Sequence, residues 1–138
     1  RNEKLYKVNK PWGNEIWING EHFAYAFKRI FIKKGYKTSL QYHKLKQETN
    51  VLIKGKANLH YKSSSKVDND NVSNCDIDQI LLTSISSVDV RPFILHRLEA
   101  ITDIILYEIS TPHLDDVIRV NDDTNRPDGR IKKEHKFE

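Results

Sequence analysis

The sequence predicts an all-β domain, an antiparallel sandwich or barrel, and three observations lead there. Short apolar runs recur about every ten residues. Gly, Pro and Asn punctuate them. No window of helical length before Thr111 shows the period of roughly 3.6 residues that an amphipathic helix needs. The 138 residues suit one domain with one core. With 38% hydrophobic and 30% charged residues, the composition is that of a globular protein.

Taken in order, "EIWI" is a short strand. "FAYAFKRIFI", Phe23 to Ile32, is a longer one that stops at the turn "KKGYK". "TSLQYH" follows, then "TNVLI" up to Gly55, then "ANLHYK". The stretch from Ser63 to Asp78 is rich in Asn, Asp and Ser and reads as an exposed hairpin loop. "QILLTS", "SVDV", "FILHRL" and "TDIILYEI" complete the strands. "PHLDDVIRVND" predicts one or two helical turns, with Asp near the start. The domain is expected to span residues 1–126. Residues 127–138 form a polar C-terminal tail with little structure unless it docks on a partner. No internal repeat is present.

Charge and cysteine content narrow the classes. The net charge of +4 is mild: lysines cluster at Lys28 to Lys37, at Lys44 to Lys56 and in the tail, and 19 acidic residues are interspersed along the chain. No basic module studded with aromatics is present, so nucleic acid is not an expected partner. No apolar run is long enough to span a bilayer, so no membrane partner is expected either. The opening "RNEKLYKVNKPWG" is polar and carries no apolar signal stretch. A single cysteine, Cys75, excludes an internal disulfide and fits a reducing compartment, with the cytoplasm as the expected location.

The chemistry-bearing stretch is "SLQYHKLKQETNVLIKGKA", Ser39 to Ala57. Strand side chains alternate between faces, so Gln41 and His43 share one. Glu48 lies beyond a turn at "KLK", and the next strand brings it back across. His96, in "RPFILHRL", is a fourth group from far along the chain. Imidazole, carboxylate and amide oxygen together suit one divalent ion: zinc, with manganese, iron or nickel as other metals such ligands accept.

The order Gly35, Gln41, His43, Glu48, Gly55 resembles the first cupin motif, with Gln41 in place of its first His. The pieces "KPWGNEIWI", "FKRIFIKKGYKTSLQYHKLKQETNVLIKGKANLHY", "HRLEAITDIILYEISTP" and "LDDVIRVNDDTNR" extend the likeness. Over roughly residues 10–126 the chain resembles the C-terminal cupin domain of the type II mannose-6-phosphate isomerase/mannose-1-phosphate guanylyltransferase family. The resemblance implies a small β-barrel or jelly roll with an internal metal site. It also implies metal-dependent aldose–ketose isomerisation of a sugar phosphate in carbohydrate or polysaccharide biosynthesis. The chain departs from the family pattern at Leu45 and Thr49, where the family commonly carries histidines. Its second motif, "RPFILHRLEA", lacks the usual Gly and has Ala100 for Asn. No Gly-rich nucleotidyltransferase segment is present, so guanylyl transfer is not expected.

An isomerase of this kind needs a base and a grip on phosphate. Glu108 is the candidate base, because the matching family position is also Glu. Lys28 and Arg29 lie on one strand with opposite facing, so only one can serve the pocket. Lys37 shares the parity of His43. Arg119 and Arg126 either close over the pocket or pair with Asp115, Asp116, Asp122 and Asp123. Trp12 reads as structural and His60 as a surface residue. The resemblance also implies a homodimer, with Leu40 and Tyr42, opposite in parity to Gln41 and His43, as an apolar patch. Two other functions stay open. One is a non-catalytic cupin that binds a sugar or sugar nucleotide. The other is a nucleotide-sugar epimerase, whose His/Asp pair is not seen here.

Overall fold

The computed structural model describes residues 5–19, 24–62, 77–113, 115–131 and 134. Among them eleven strands form two antiparallel sheets. The expected runs become β2 (Gly13–Trp17), β3 (Ala26–Ile32), β4 (Leu40–Tyr42), β5 (Glu48–Lys54), β6 (Lys56–Lys62), β7 (Asp78–Thr83), β8 (Ser86–Val90), β9 (Leu95–Ala100) and β10 (Ile104–Ser110). Two further strands join them, β1 (Tyr6–Lys10) and β11 (Ile118–Asn121). One sheet runs β1-β2-β3-β10-β5-β8 and the other β11-β4-β9-β6-β7. The sheets stay separate, so this is a jelly-roll sandwich and not a closed barrel. Among the described residues no helix is long and apolar enough to cross a membrane.

The segment that predicted a helical turn is instead β11. Its Ile118 and Arg119 pair with Tyr42 and Gln41 of β4. A four-residue strand gains its backbone hydrogen bonds from a neighbour about eighty residues away, which local propensity does not register. The predicted loop from Ser63 falls, up to residue 76 and including Cys75, outside the described residues.

Register divides the space between the sheets into two ends. On the six-stranded sheet Lys28 lies opposite Glu108, and Glu108 opposite Asn50. The next inward row is Ile30, Leu106 and Leu52. On the five-stranded sheet Arg119, Gln41 and His96 are cross-strand neighbours. Leu98 pairs with Leu59, and Ala100 with Ala57, in the rows beyond. One end is therefore charged. The other is the main core, where Trp12, Ile30, Ile32, Leu52, Ala57, Ala100, Ile104 and Leu106 are buried together. Trp12 is 5% exposed and belongs to this core.

A second apolar cluster lies on the face of the five-stranded sheet turned away from Gln41. Leu40, Tyr42 and Leu95 are its buried members, with Phe93, Ile118 and Val120 packed against them. Leu40 and Tyr42 do oppose Gln41 in parity, but they are 6% and 3% exposed. They are interior residues of the protomer and offer no open patch to a second copy.

Two expectations follow. Gly55 joins β5 to β6 at φ +94°, and a Cβ there would sit 2.4 Å from the Asp103 carbonyl oxygen and 2.6 Å from Thr102 Oγ1. Gly55→Ala should therefore cost on the order of 2–3 kcal/mol in urea unfolding. The second concerns the inward carboxylate Glu15, which accepts a hydrogen bond from Trp17 Nε1 at 3.2 Å and lies 3.6 Å from Lys28 Nζ. Burial alone would raise its pKa, but the charges of Lys28 and Lys10 outweigh this and hold it at about 2, against an ordinary 4.5. A depressed carboxyl stabilises the fold above its unfolded pKa, and that contribution disappears as pH falls through the folded value. Stability of the wild type should decline between pH 4.5 and 2, and in Glu15→Gln that slope should be shallower.

Candidate metal centre and charged cavity

A cavity of about 150 Å³ lies between the sheets. Glu48, His96, Gln41, Glu108, Lys28 and Lys46 line its charged end. His43, just beyond the end of β4, is completely buried beside it. His43, Glu48 and His96 form a group whose potential ligand atoms all lie within 4.8 Å of one another. His43 Nε2 is 3.3 Å and His96 Nε2 3.1 Å from the same Glu48 oxygen, Oε1.

The outer nitrogens decide the chemistry of the inner ones. His43 Nδ1 is 2.5 Å from the Asp116 carbonyl oxygen, and His96 Nδ1 is 2.9 Å from that of Ile94. A carbonyl can only accept, so each Nδ1 carries the proton and donates it. Burial lowers the His43 pKa against the opposing pull of the nearby Glu48 carboxylate, and so favours the neutral imidazole. The Nε2 atoms of both rings face a carboxylate oxygen, and both are buried without a hydrogen-bond partner. Two imidazole nitrogens without hydrogen-bond partners and a carboxylate oxygen at this separation are satisfied together by a cation. These donors therefore fit a divalent metal, and the Nδ1 contacts supply the orienting hydrogen bonds that ligating histidines use. Gln41 flanks this group in register with His96, and its Oε1 accepts a hydrogen bond from Ser39 Oγ at 2.6 Å.

Asp116 holds the turn that carries His43 and Glu48 together. Its carboxylate accepts the backbone N–H groups of Lys44 at 3.0 Å, Leu45 at 2.6 Å and Lys46 at 2.9 Å. Burial acts to raise its pKa, and these three donors outweigh burial and keep it below the usual aspartate value. Asp116 thus clamps the loop with its side chain while its carbonyl orients His43.

Lys46 was not among the residues the sequence singled out. Its Nζ lies 3.6 Å from Glu48 Oε2 and 3.2 Å from Glu108 Oε2, with all three side chains buried. Burial opposes its charge, but Glu108 and Glu48 outweigh that and raise its pKa. For Glu48, burial likewise acts upward, yet Lys46 and the surrounding hydrogen bonds hold it well below the ordinary glutamate value. Glu108 goes the other way: burial, then the negative charge of Glu48, push it up to about 7. Lys46 precedes β5 in a turn, where strand alternation does not apply, so nothing local marked it. Asp116 had no local mark either, because its partners lie about seventy positions away.

The expected phosphate cations separate. Lys28 points into the cavity and is 8% exposed, with Nζ 5.1 Å from the Trp17 ring centroid. Arg29 points to the opposite, exposed face of β3 and is corrected to a surface residue. Lys37 is also outside the cavity lining, in an isolated bridge with Glu99. Its parity with His43 failed because residues 38 and 39 are not in a strand, so alternation does not carry across them. Arg119 and Arg126 both line the cavity. Arg119 Nη1 donates to the carbonyls of Pro127 and Gly129, and Arg126 pairs with Asp122 at 2.9 Å. Both alternatives for these arginines are thus partly realised: they wall the cavity, and Arg126 is ion-paired. His60, half-buried, is 3.1 Å from Glu99 Oε1 on the opposite face of the sheet from His96's cavity.

Solved structures share this architecture at low sequence identity. The capsular polysaccharide assembling protein CapF from Staphylococcus aureus aligns with a TM-score of 0.65 and 16% identity, over 94% of this chain and 32% of that one. An RmlC-like cupin from Shewanella frigidimarina gives 0.62 and 15%, over 81% and 87%. The oxalate decarboxylase of Lactobacillus farciminis gives 0.64 and 13%, over 83% and 33%. The chain spans about a third of the length of the CapF chains it matches. At such identities these likenesses show the cupin fold and leave the chemistry open. No curated protein matches the chain significantly. The family profile described as Mannose-6-phosphate isomerase C-terminal matches residues 1–122, and by that match the chain belongs to this family.

Proposed function

We propose that the protein is a metal-dependent sugar-phosphate isomerase that interconverts an aldose phosphate and its ketose phosphate, with mannose 6-phosphate and fructose 6-phosphate as the first pair to test. The observation that carries this reading is the convergence of two buried histidine Nε2 atoms, neither with a hydrogen-bond partner, on one Glu48 oxygen at the charged end of the cavity, in a chain of this family. His43, Glu48 and His96 hold the ion, zinc by preference, and Gln41 stands beside them as a fourth ligand. A divalent ion supplies Lewis acidity toward a carbonyl oxygen.

The remaining steps belong to the chain's own residues. Glu108 is buried, lines the cavity and is the carboxylate placed to move a proton between C1 and C2 of the sugar. Lys46 holds the Glu108 carboxylate in position from 3.2 Å. Lys28 and Arg119, on opposite sheets, are the cations available to an anionic substrate group. Ile30, Leu52 and Leu106 close the far end of the cavity to water. The protein works as a homodimer in the cytoplasm in this reading. A second reading, a sugar-binding cupin module of a larger assembly, draws support from the chain's matching only a third of CapF.

Two measurements test the proposal. Elemental analysis of protein purified without added metal should find about one divalent ion per chain, for the one such cluster among the described residues. His43→Ala and His96→Ala should each lose most of it while keeping the β-type circular dichroism, and equal metal content in all three would refute the assignment. For the reaction, turnover of mannose 6-phosphate in deuterated buffer should place deuterium at C2. Glu108→Gln should reduce that exchange by about 10²-fold or more with its metal retained. Binding of sugar phosphates with neither turnover nor exchange would favour the binding module.

A further inference from the structure

The C-terminal segment contributes more than a polar extension. Gly129 N donates to the Val117 carbonyl at 2.8 Å, and Arg119 N donates to Asp128 Oδ1 at 2.7 Å, so this segment packs back on β11. Arg126, Gly129 and Arg130 line the cavity. Arg130 is itself paired with Asp115 at 3.0 Å. Beyond them Glu134 reaches two cations at once. Its Oε1 is 2.6 Å from Lys10 Nζ and its Oε2 is 3.1 Å from Arg126 Nη1. The three side chains are only 10% to 11% exposed, so this is no loose surface pair.

A carboxylate seated on two nearly buried cations shows what chemistry that place accepts: the oxygens of an anion. Arg119 is the third cation there. It donates to carbonyls rather than to a carboxylate side chain, and its Nε is buried without a partner. Asp122 is committed to Arg126, at 2.9 to 3.2 Å. Glu15 lies against Lys28, on the opposite sheet. If Glu134 leaves, Lys10 and Arg126 lose the carboxylate they share, while Asp122 stays on Arg126, Asp128 near Arg119 and Glu15 near Lys10. The vacated place offers the Lys10 and Arg126 donors, with Arg119 beside them, to the oxygens of another anion, and a phosphate monoester, at about −1.5 to −2 near neutral pH, has the oxygens such donors grip.

We propose that Lys10, Arg119 and Arg126 form a phosphate-monoester site in the cavity wall, and that Glu134 is its built-in competitor. The tail carboxylate occupies two of the three cations until the ligand's phosphate displaces it. This deepens the sugar-phosphate reading and rests on it for the identity of the physiological ligand, but the site itself is testable with inorganic phosphate alone.

The test is calorimetric titration of the full chain, as purified, with inorganic phosphate and with mannose 6-phosphate. Glu134→Gln keeps the shape and removes the charge, so it should bind inorganic phosphate about tenfold more tightly than wild type, because the competent state is no longer shared with the tail. Lys10→Gln should weaken binding in the Glu134→Gln background, and Arg119→Lys, which keeps charge but loses the fork, should weaken it too. Circular dichroism checks that each variant is folded. Equal phosphate affinity in wild type and Glu134→Gln would overturn the competitor role, and unchanged affinity in both cation variants would overturn the site. Tighter phosphate binding in Glu134→Gln without turnover of any sugar phosphate would uphold the site and count against the isomerase. Turnover with phosphate affinity unaffected by Glu134→Gln would do the reverse.

Discussion

The buried carboxylate of Glu48 is the constraint around which the interior is arranged. A charge removed from water at that depth is tolerated only where partners satisfy it. One oxygen faces the two imidazoles and the other faces Lys46. Lys46 in turn requires a second carboxylate to balance its burial, and Glu108 provides it. Glu108 lies opposite Lys28 across the β3–β10 pair, and Lys28 leans on Glu15. The result is a run of alternating charges that fills one end of the sandwich, where an ordinary core would hold aliphatic side chains. Such a network is expensive to bury and adds little net stability compared with apolar packing. Its presence is a reason to read this end of the molecule as functional.

The rest of the fold keeps that end rigid. Asp116 holds the turn after β4 through three backbone donors, so His43 and Glu48 meet from neighbouring segments of different sheets. The apolar rows of Ile30, Leu106 and Leu52, with Leu98 and Leu59 facing them, fill the opposite end. The cavity is therefore graded along the strands: ligand chemistry at one end and a hydrophobic floor at the other. Backbone order in the strands beneath the site supplies the precision that metal-ligating side chains need.

The fold is shared by proteins as different as a capsular polysaccharide assembling protein and an oxalate decarboxylase. Architecture alone therefore leaves the reaction open. What distinguishes this chain is the identity of the inward residues. Leu45, exposed in the turn, and Thr49, whose hydroxyl donates to Asp89 at 2.7 Å, stand where the resembled family carries histidines. Neither position belongs to the buried group of His43, Glu48 and His96.

The sequence by itself determined the β class, nine of the strands and the family, because these rest on short-range alternation, turn residues and motif spacing. It also named His43, Glu48 and His96, whose convergence the structure then displays. Parity rightly separated Lys28 from Arg29 as facing opposite ways, but could not say which faced inward. Tertiary structure decided that, through the pairing of Lys28 with Glu108. It also turned a predicted helical turn into β11, buried Leu40 and Tyr42, and moved Lys37 away from the pocket. The role of Asp116 and the docking of Glu134 on Lys10 were likewise invisible beforehand, since those partners lie about seventy and, in the second case, 124 positions apart. Alternation and turn chemistry act over a few residues. Contacts across such distances arise only when both sheets are assembled and each buried charge must find its partner.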